Sequence, residues 1–211
     1  MKILLTSLIS FFFFLNPFSI NQDKDEYTNE IIKWQDNMNS GFSNPEESPL
    51  TKEVIANFKG LDFYQIDKKY RVEAKFERTP FEPPFGMKTT TSRLPKYKKF
   101  GIATFYINGK EYKLNVYQNQ SLLAQRDFEN YLFIPYTDLT SGNDSYSGGK
   151  YIDLTIPKGD VLIIDFNKSY NPYCAYNHKY SCPIPPSENS LNIRIEAGVK
   201  AYNDLTNKSR K

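Results

Sequence analysis

The dipeptide Asn108-Gly109, set between two alternating apolar runs, constrains this chain more than any other feature. Asn-Gly is the strongest short-range signal for a two-residue hairpin, because a type I′ turn needs positive φ at both central residues. Residues 98–107 and 110–117 are therefore expected to pair with a fixed register. Ile107 faces Lys110, Phe105 faces Tyr112, Ala103 faces Leu114 and Gly101 faces Val116. That register puts Ala103, Phe105, Ile107, Tyr112, Leu114 and Val116 on one buried face. Thr104, Glu111, Lys113 and Asn115 fall on the more polar one.

The same period of two recurs along the chain. Val72, Ala74 and Phe76 alternate with Arg71, Glu73, Lys75 and Glu77, which predicts a strand with one solvated face. Residues 131–136, 151–156 and 161–166 are further expected strands. A final one is expected over 191–197, where Leu191, Ile193, Ile195 and Ala197 alternate with Asn192, Arg194 and Glu196. Ahead of residue 61 the period is helical. Tyr27, Ile31, Trp34 and Met38 predict an amphipathic helix over 25–39. A linker follows at 41–47. Ser48 as N-cap and Pro49 at the first helical position predict a second helix, carrying Leu50, Val54, Ile55 and Phe58, that stops at Gly60. The expected fold is mainly β: an antiparallel sandwich or barrel-like sheet with two N-terminal helices packed against it.

The first residues have the pattern of an export signal. Lys2 precedes an apolar stretch, residues 3–15, broken by Asn16-Pro17, with Ser19 at a plausible cleavage position. The stretch is shorter than the ~20 residues a spanning helix needs. The expected organisation is a signal peptide over 1–21, a helical segment over 22–60, an antiparallel β domain over 61–202 and a polar tail over 203–211. The mature protein is expected to start between Ile20 and Gln22 and to be periplasmic or secreted. It is expected to be a monomer with no stable membrane span.

Composition excludes several function classes. A formal net charge of +3 over 211 residues is too small to argue for nucleic acid. One histidine excludes a multi-histidine metal site. No phosphate-binding loop, nucleophile elbow or His-Glu-x-x-His motif is present. No cofactor and no metal are assigned.

The residues that could carry chemistry concentrate in two segments. One is the connection 165–189, rich in tyrosine and proline, with Asp165, Asn167, Asn171, Tyr173, Tyr176, Glu188 and Asn189. Cys174, His178 and Cys182 are spaced four and four within it. On a helix they would line one face and could ligate a soft metal. Eight helical steps would hold the two cysteines about 12 Å apart, whereas bridged Cα atoms lie within about 7 Å. Poor helix formers between Pro172 and Pro183 favour an irregular loop closed by a disulfide between Cys174 and Cys182. Free thiols remain the third reading. The other segment is the Gly/Ser loop 137–150 with Asp138, Tyr146 and, just beyond it, Asp153. Aromatic rings beside a few polar groups suit a small organic or saccharide ligand. The alternative is a hydrolase-type enzyme using Asp138, Asp153, Asp165 and Glu188 as acid–base groups, if they converge.

Several runs carry a resemblance. They are Arg71-Val72-x-Ala74-x-Phe76-Glu77-Arg78, Phe133-Ile134-Pro135-Tyr136-x-Asp138-x-Thr140-Ser141-Gly142 and Tyr146-x-Gly148-Gly149-x-Tyr151-x-Asp153-Leu154. Asp165-Phe166-Asn167, Asn171-Pro172-x-Cys174-Ala175 and Cys182-Pro183-x-Pro185-Pro186-x-Glu188-Asn189 complete the set. Together they resemble a bacterial family catalogued as domain of unknown function sixteen-eighty-four, over roughly residues 34–202. The resemblance implies one domain with a shared site and no assigned reaction. Both cysteines match the family pattern, and the His178 position does not.

Overall fold

A computed structural model describes residues 18–202, with side chains from residue 26 onward. Residues 1–17 of the expected signal segment and the tail 203–211 lie outside the described residues. The architecture is one antiparallel sheet curled into a half-barrel. Its strands are β1 (Arg71–Arg78), β2 (Phe85–Gly86), β3 (Lys96–Ile107), β4 (Lys110–Asn119), β5 (Tyr131–Tyr136), β6 (Lys150–Thr155) and β7 (Val161–Asp165). They run in the order β6-β5-β4-β3-β1-β7, with β2 beside β3. The sandwich alternative is not what forms.

The hairpin has the expected register, with Phe105 opposite Tyr112, Ala103 opposite Leu114 and Gly101 opposite Val116. Asn108 and Gly109 hold φ of 52° and 76°, the left-handed pair that a type I′ turn requires. A bulge between Lys99 and Gly101 shifts the register and turns Tyr97 to the outer face. Gly101 is forced there: a Cβ would meet the Phe76 ring at 2.5 Å. Gly109 has open space around it, so only its backbone conformation is at stake. Gly109→Val is expected to cost more than about 1 kcal/mol, the penalty for a β-branched residue in the left-handed region. Equilibrium urea unfolding measures this, and an unchanged midpoint would refute the turn assignment.

The inner face packs Val72, Ala74, Phe76, Phe105, Leu114, Leu132, Ile134, Leu162 and Ile164 into the main core. Alternation explains this directly, since β1 buries every second residue. The β4–β5 ladder is short, with Tyr117 opposite Phe133 as its pairing. Pro135 has no amide hydrogen to give β4. The Asn189 side chain fills the gap: it accepts from Asn115 N–H at 2.8 Å and donates to Asn115 O at 2.9 Å and Pro135 O at 2.8 Å.

Three expectations need correction. The first helix, α1, spans Phe18–Ser43, longer than the stripe predicts. The second is a single turn, α2 (Lys52–Ile55), because Ser48 Oγ accepts from Leu50 N–H in a local turn and the helix starts only after Thr51. Over the expected strand at 191–197 the burial alternates, but the backbone bends at 192–193 and forms no ladder. Its carbonyls at Ile195 and Ala197 instead accept from the Lys150 ammonium, at 3.0 and 3.4 Å.

The half-barrel closes between its two edges. Just past β7, Tyr170 exchanges backbone hydrogen bonds of 2.8 and 3.0 Å with Tyr151 of β6. Helix α1 lies beside this seam. Tyr27 donates from its hydroxyl to Asp165 at 3.1 Å, and Trp34, Met38 and Phe42 pack on Leu50, Leu61 and Val199.

Candidate functional site

Strand β6 points Tyr151 and Asp153 to the outer face of the sheet, because they are two residues apart. In the β5–β6 register Phe133 faces Asp153, which places Tyr131 on its diagonal. Tyr170 arrives from across the seam. The Asp153 carboxylate accepts from the Tyr131 hydroxyl at 2.7 Å and from the Tyr170 hydroxyl at 2.8 and 2.9 Å. The connection after β7 folds back over this floor and α1 walls the other side. Between them runs a groove of about 740 Å³, lined by the rings of Trp34, Phe42, Tyr151, Tyr170, Tyr173 and Tyr180. Asp153 and Lys168 also line an adjoining cavity of about 370 Å³, together with Glu30, Arg71 and Asp165.

Asp153 is exposed where it lines the groove. Desolvation raises its pKa, and the two tyrosine hydrogen bonds oppose that rise. Burial and the Asp153 charge raise both partner phenols, so Tyr131 and Tyr170 keep their protons and stay donors. Lys168 pairs with Glu30, and its hydrogen bond holds the Glu30 carboxyl below the usual range.

The cysteine segment is an irregular loop with one short helical turn, Tyr173–Ala175, rather than a helix. Both cysteines are buried free thiols. The Cys174 N–H donates to Cys182 Sγ at 3.1 Å, so the loop does fold back on itself. The hydrogen bond from the Cys182 thiol lowers Cys174 below the ordinary thiol value and raises Cys182 above it. Tyr146 reaches Cys174 Sγ at 3.7 Å. His178 is exposed, apart from the buried pair. Ser181 and Cys182 are fastened to the segment after β2: Arg93 donates to Ser181 O at 2.7 Å and Cys182 N–H to Thr90 Oγ1 at 3.1 Å.

The structure brings some of the sequence-selected residues together and disperses others. Asp153 and Tyr173 line the groove, and Asp165 lines the adjoining cavity with Asp153. Tyr176 packs its ring on Phe42 at 4.7 Å, behind the groove wall. Asn167 donates to the Tyr27 hydroxyl at 2.9 Å and helps fix α1. Asn171 donates to Lys200 O at 2.8 Å, inside the protein. Asn189 bridges β4 and β5, and neighbouring Glu188 is exposed. Asp138 is fully buried 3.2 Å from the Lys150 ammonium. The four carboxylates therefore do not share one pocket.

Sequence reading missed Tyr131, Tyr170, Lys168 and Trp34 as site residues. Trp34 was legible only as part of a core stripe. The Tyr131–Asp153 diagonal depends on a register that the long 137–150 loop leaves open. Tyr170 and Lys168 lie in the selected segment, but nothing local marks them as facing a groove.

No helix among the described residues is long and apolar enough to cross a membrane. The family described as protein of unknown function (DUF1684) matches residues 56–200. The fold is similar to the solution NMR structure of the uncharacterized protein from gene locus rrnAC0354 of Haloarcula marismortui. That protein is 30% identical, with a TM-score of 0.66, and the match covers 88% of this chain and 98% of that one. None of the curated proteins matches.

Proposed function

We propose that this chain, which belongs to the family described as protein of unknown function (DUF1684), binds a small organic or saccharide ligand in the groove beside Asp153. One observation carries the reading. Six aromatic rings and a tyrosine-held carboxylate converge on a groove of about 740 Å³, within the few-hundred to ~1,000 Å³ range of small-molecule sites. Flat rings supply contact area, and Asp153 with its two phenols supplies direction.

Plugging the groove tests this. Gly41 lines it from α1, and a Cβ there would meet only Glu47 Oε2, at 3.7 Å. Gly41→Phe should therefore fold and fill the space. Native mass spectrometry after incubation with a small-molecule extract of the source cells should show an adduct of a few hundred daltons that Gly41→Phe loses. An adduct kept by Gly41→Phe, or none on the unaltered protein, would reject the reading.

Export belongs to the same proposal. It rests on the signal-like N-terminal pattern. In an oxidising compartment the facing Cys174 and Cys182 would close a disulfide and pin the groove wall. Thiol labelling of the exported protein, denatured without reductant, should find no reactive cysteine. Two labelled thiols would refute the bridge.

A further inference from the structure

Resting on the groove reading above, we infer that the ligand is an organic cation, an amine or quaternary ammonium, seated on the aromatic rings with its charge at Asp153. The charge balance of the groove is the first argument. Among the described residues no basic side chain lies within ion-pair distance of Asp153, whose partners are the hydroxyls of Tyr131 and Tyr170. Glu47, a second lining acid, has no basic partner within that distance either. The one lining cation, Lys168, already sits against Glu30. The uncompensated charge in the groove is therefore negative.

The wall is the second argument. Ring faces carry negative potential and attract cations, most strongly where water is excluded. Tyr173 and Tyr180 are edge-to-face at 5.2 Å, as are Tyr151 and Tyr170 at 5.9 Å. Tyr151 is buried, so the ring surface open to the groove comes from exposed Tyr173 and from partly buried Tyr170 and Tyr180, and rings set at differing angles suit a rounded ammonium group rather than a flat anion. A hard metal ion is poorly served here, since it demands six or more oxygen ligands. A neutral sugar could stack on the rings but would leave the carboxylate uncompensated.

Trp34 is the only tryptophan of the chain and lines the groove, so its emission reports occupancy. The probes are choline, its uncharged tert-butyl analogue and glucose. Choline is expected to shift Trp34 emission saturably, at about tenfold lower concentration than the analogue. Asp153→Asn should remove most of that preference. Tyr173→Ala, at an exposed groove position, should weaken choline several-fold while lowering the melting temperature by no more than a few degrees, which keeps the test informative should Asp153→Asn misfold. The analogue or glucose binding as well as choline would overturn the cation inference and leave the groove intact. No response to any probe would also overturn it, and the native mass spectrometry of Gly41→Phe then decides the groove reading separately.

Discussion

Asp138→Asn is expected to destabilise this protein by about 3–5 kcal/mol, the cost of stranding one member of a buried ion pair. Asp138 and Lys150 side chains are both 0% exposed, with nitrogen and oxygen 3.2 Å apart. Burial lowers the Lys150 pKa, and the Asp138 charge opposes that fall, so the aspartate is what keeps a lysine charged there. The ammonium also donates to Ile195 O at 3.0 Å and Thr140 Oγ1 at 3.3 Å. It thereby ties β6 to the segment that takes the place of a last strand. The asparagine variant isolates the charge, because its side-chain oxygen can still accept from Thr140 N–H as Asp138 does at 2.6 Å. Lys150→Met should cost a similar amount. The double variant should cost clearly less than the two single losses together, since it strands no charge. Urea unfolding of the four proteins gives the cycle. Additive losses, or a single loss below about 1 kcal/mol, would mean that the pair does not hold the seam.

How much of this was legible in advance depended on the range of the interactions. The β3–β4 hairpin followed from two adjacent residues, because turn chemistry is local. The stripe of α1 was legible for the same reason. The segment 191–197 shows where pattern and structure part. Its alternation reports which side chains are buried, as Leu191, Ile195 and Ala197 are. It does not report where the backbone hydrogen bonds go: Leu191 N–H donates to Thr137 O, Ile193 O accepts from Leu139 N–H, and the Ile195 and Ala197 carbonyls accept from a lysine some 45 residues away. The site divides likewise. A tyrosine- and proline-rich connection was recognisable as a wall of something. That Asp153 meets Tyr131 and Tyr170 is a consequence of the seam between β6 and the chain after β7, which no local signal specifies. Asp138, Asn171 and Asn189 looked like ligand-binding groups because buried backbone and buried charge call for the same polar side chains that ligands do.

Alkali is expected to unfold the protein abruptly, near pH 11 to 12, through its buried phenols. Tyr27, Tyr97, Tyr117, Tyr136 and Tyr151 are all 7% exposed or less, and desolvation raises each above the ordinary tyrosine value of 10.0. The sign follows from proton counting. Above pH 10 the unfolded chain gives up these protons while the folded one keeps them, so stability present below pH 10 is lost as pH rises. The three raised furthest, Tyr27, Tyr136 and Tyr151, remove about 4 kcal/mol per pH unit at ~1.4 kcal/mol each, and Tyr97 and Tyr117 add to the loss in the same direction. A domain stability in the lower half of the usual range of about 5–15 kcal/mol is then exhausted within about two units. Lys150, with its lowered pKa, adds stability only as pH rises to the ordinary lysine value of 10.5, so it does not oppose the loss above that. Tyrosinate absorbance and far-ultraviolet circular dichroism should therefore change together in one cooperative step. Tyr136→Phe supplies the control, because its hydroxyl is buried without a hydrogen-bond partner. That variant should be no less stable at neutral pH and should soften the alkaline slope by about 1.4 kcal/mol per pH unit. A gradual titration beginning near pH 10, with the dichroism intact, would show that these phenols reach solvent without unfolding.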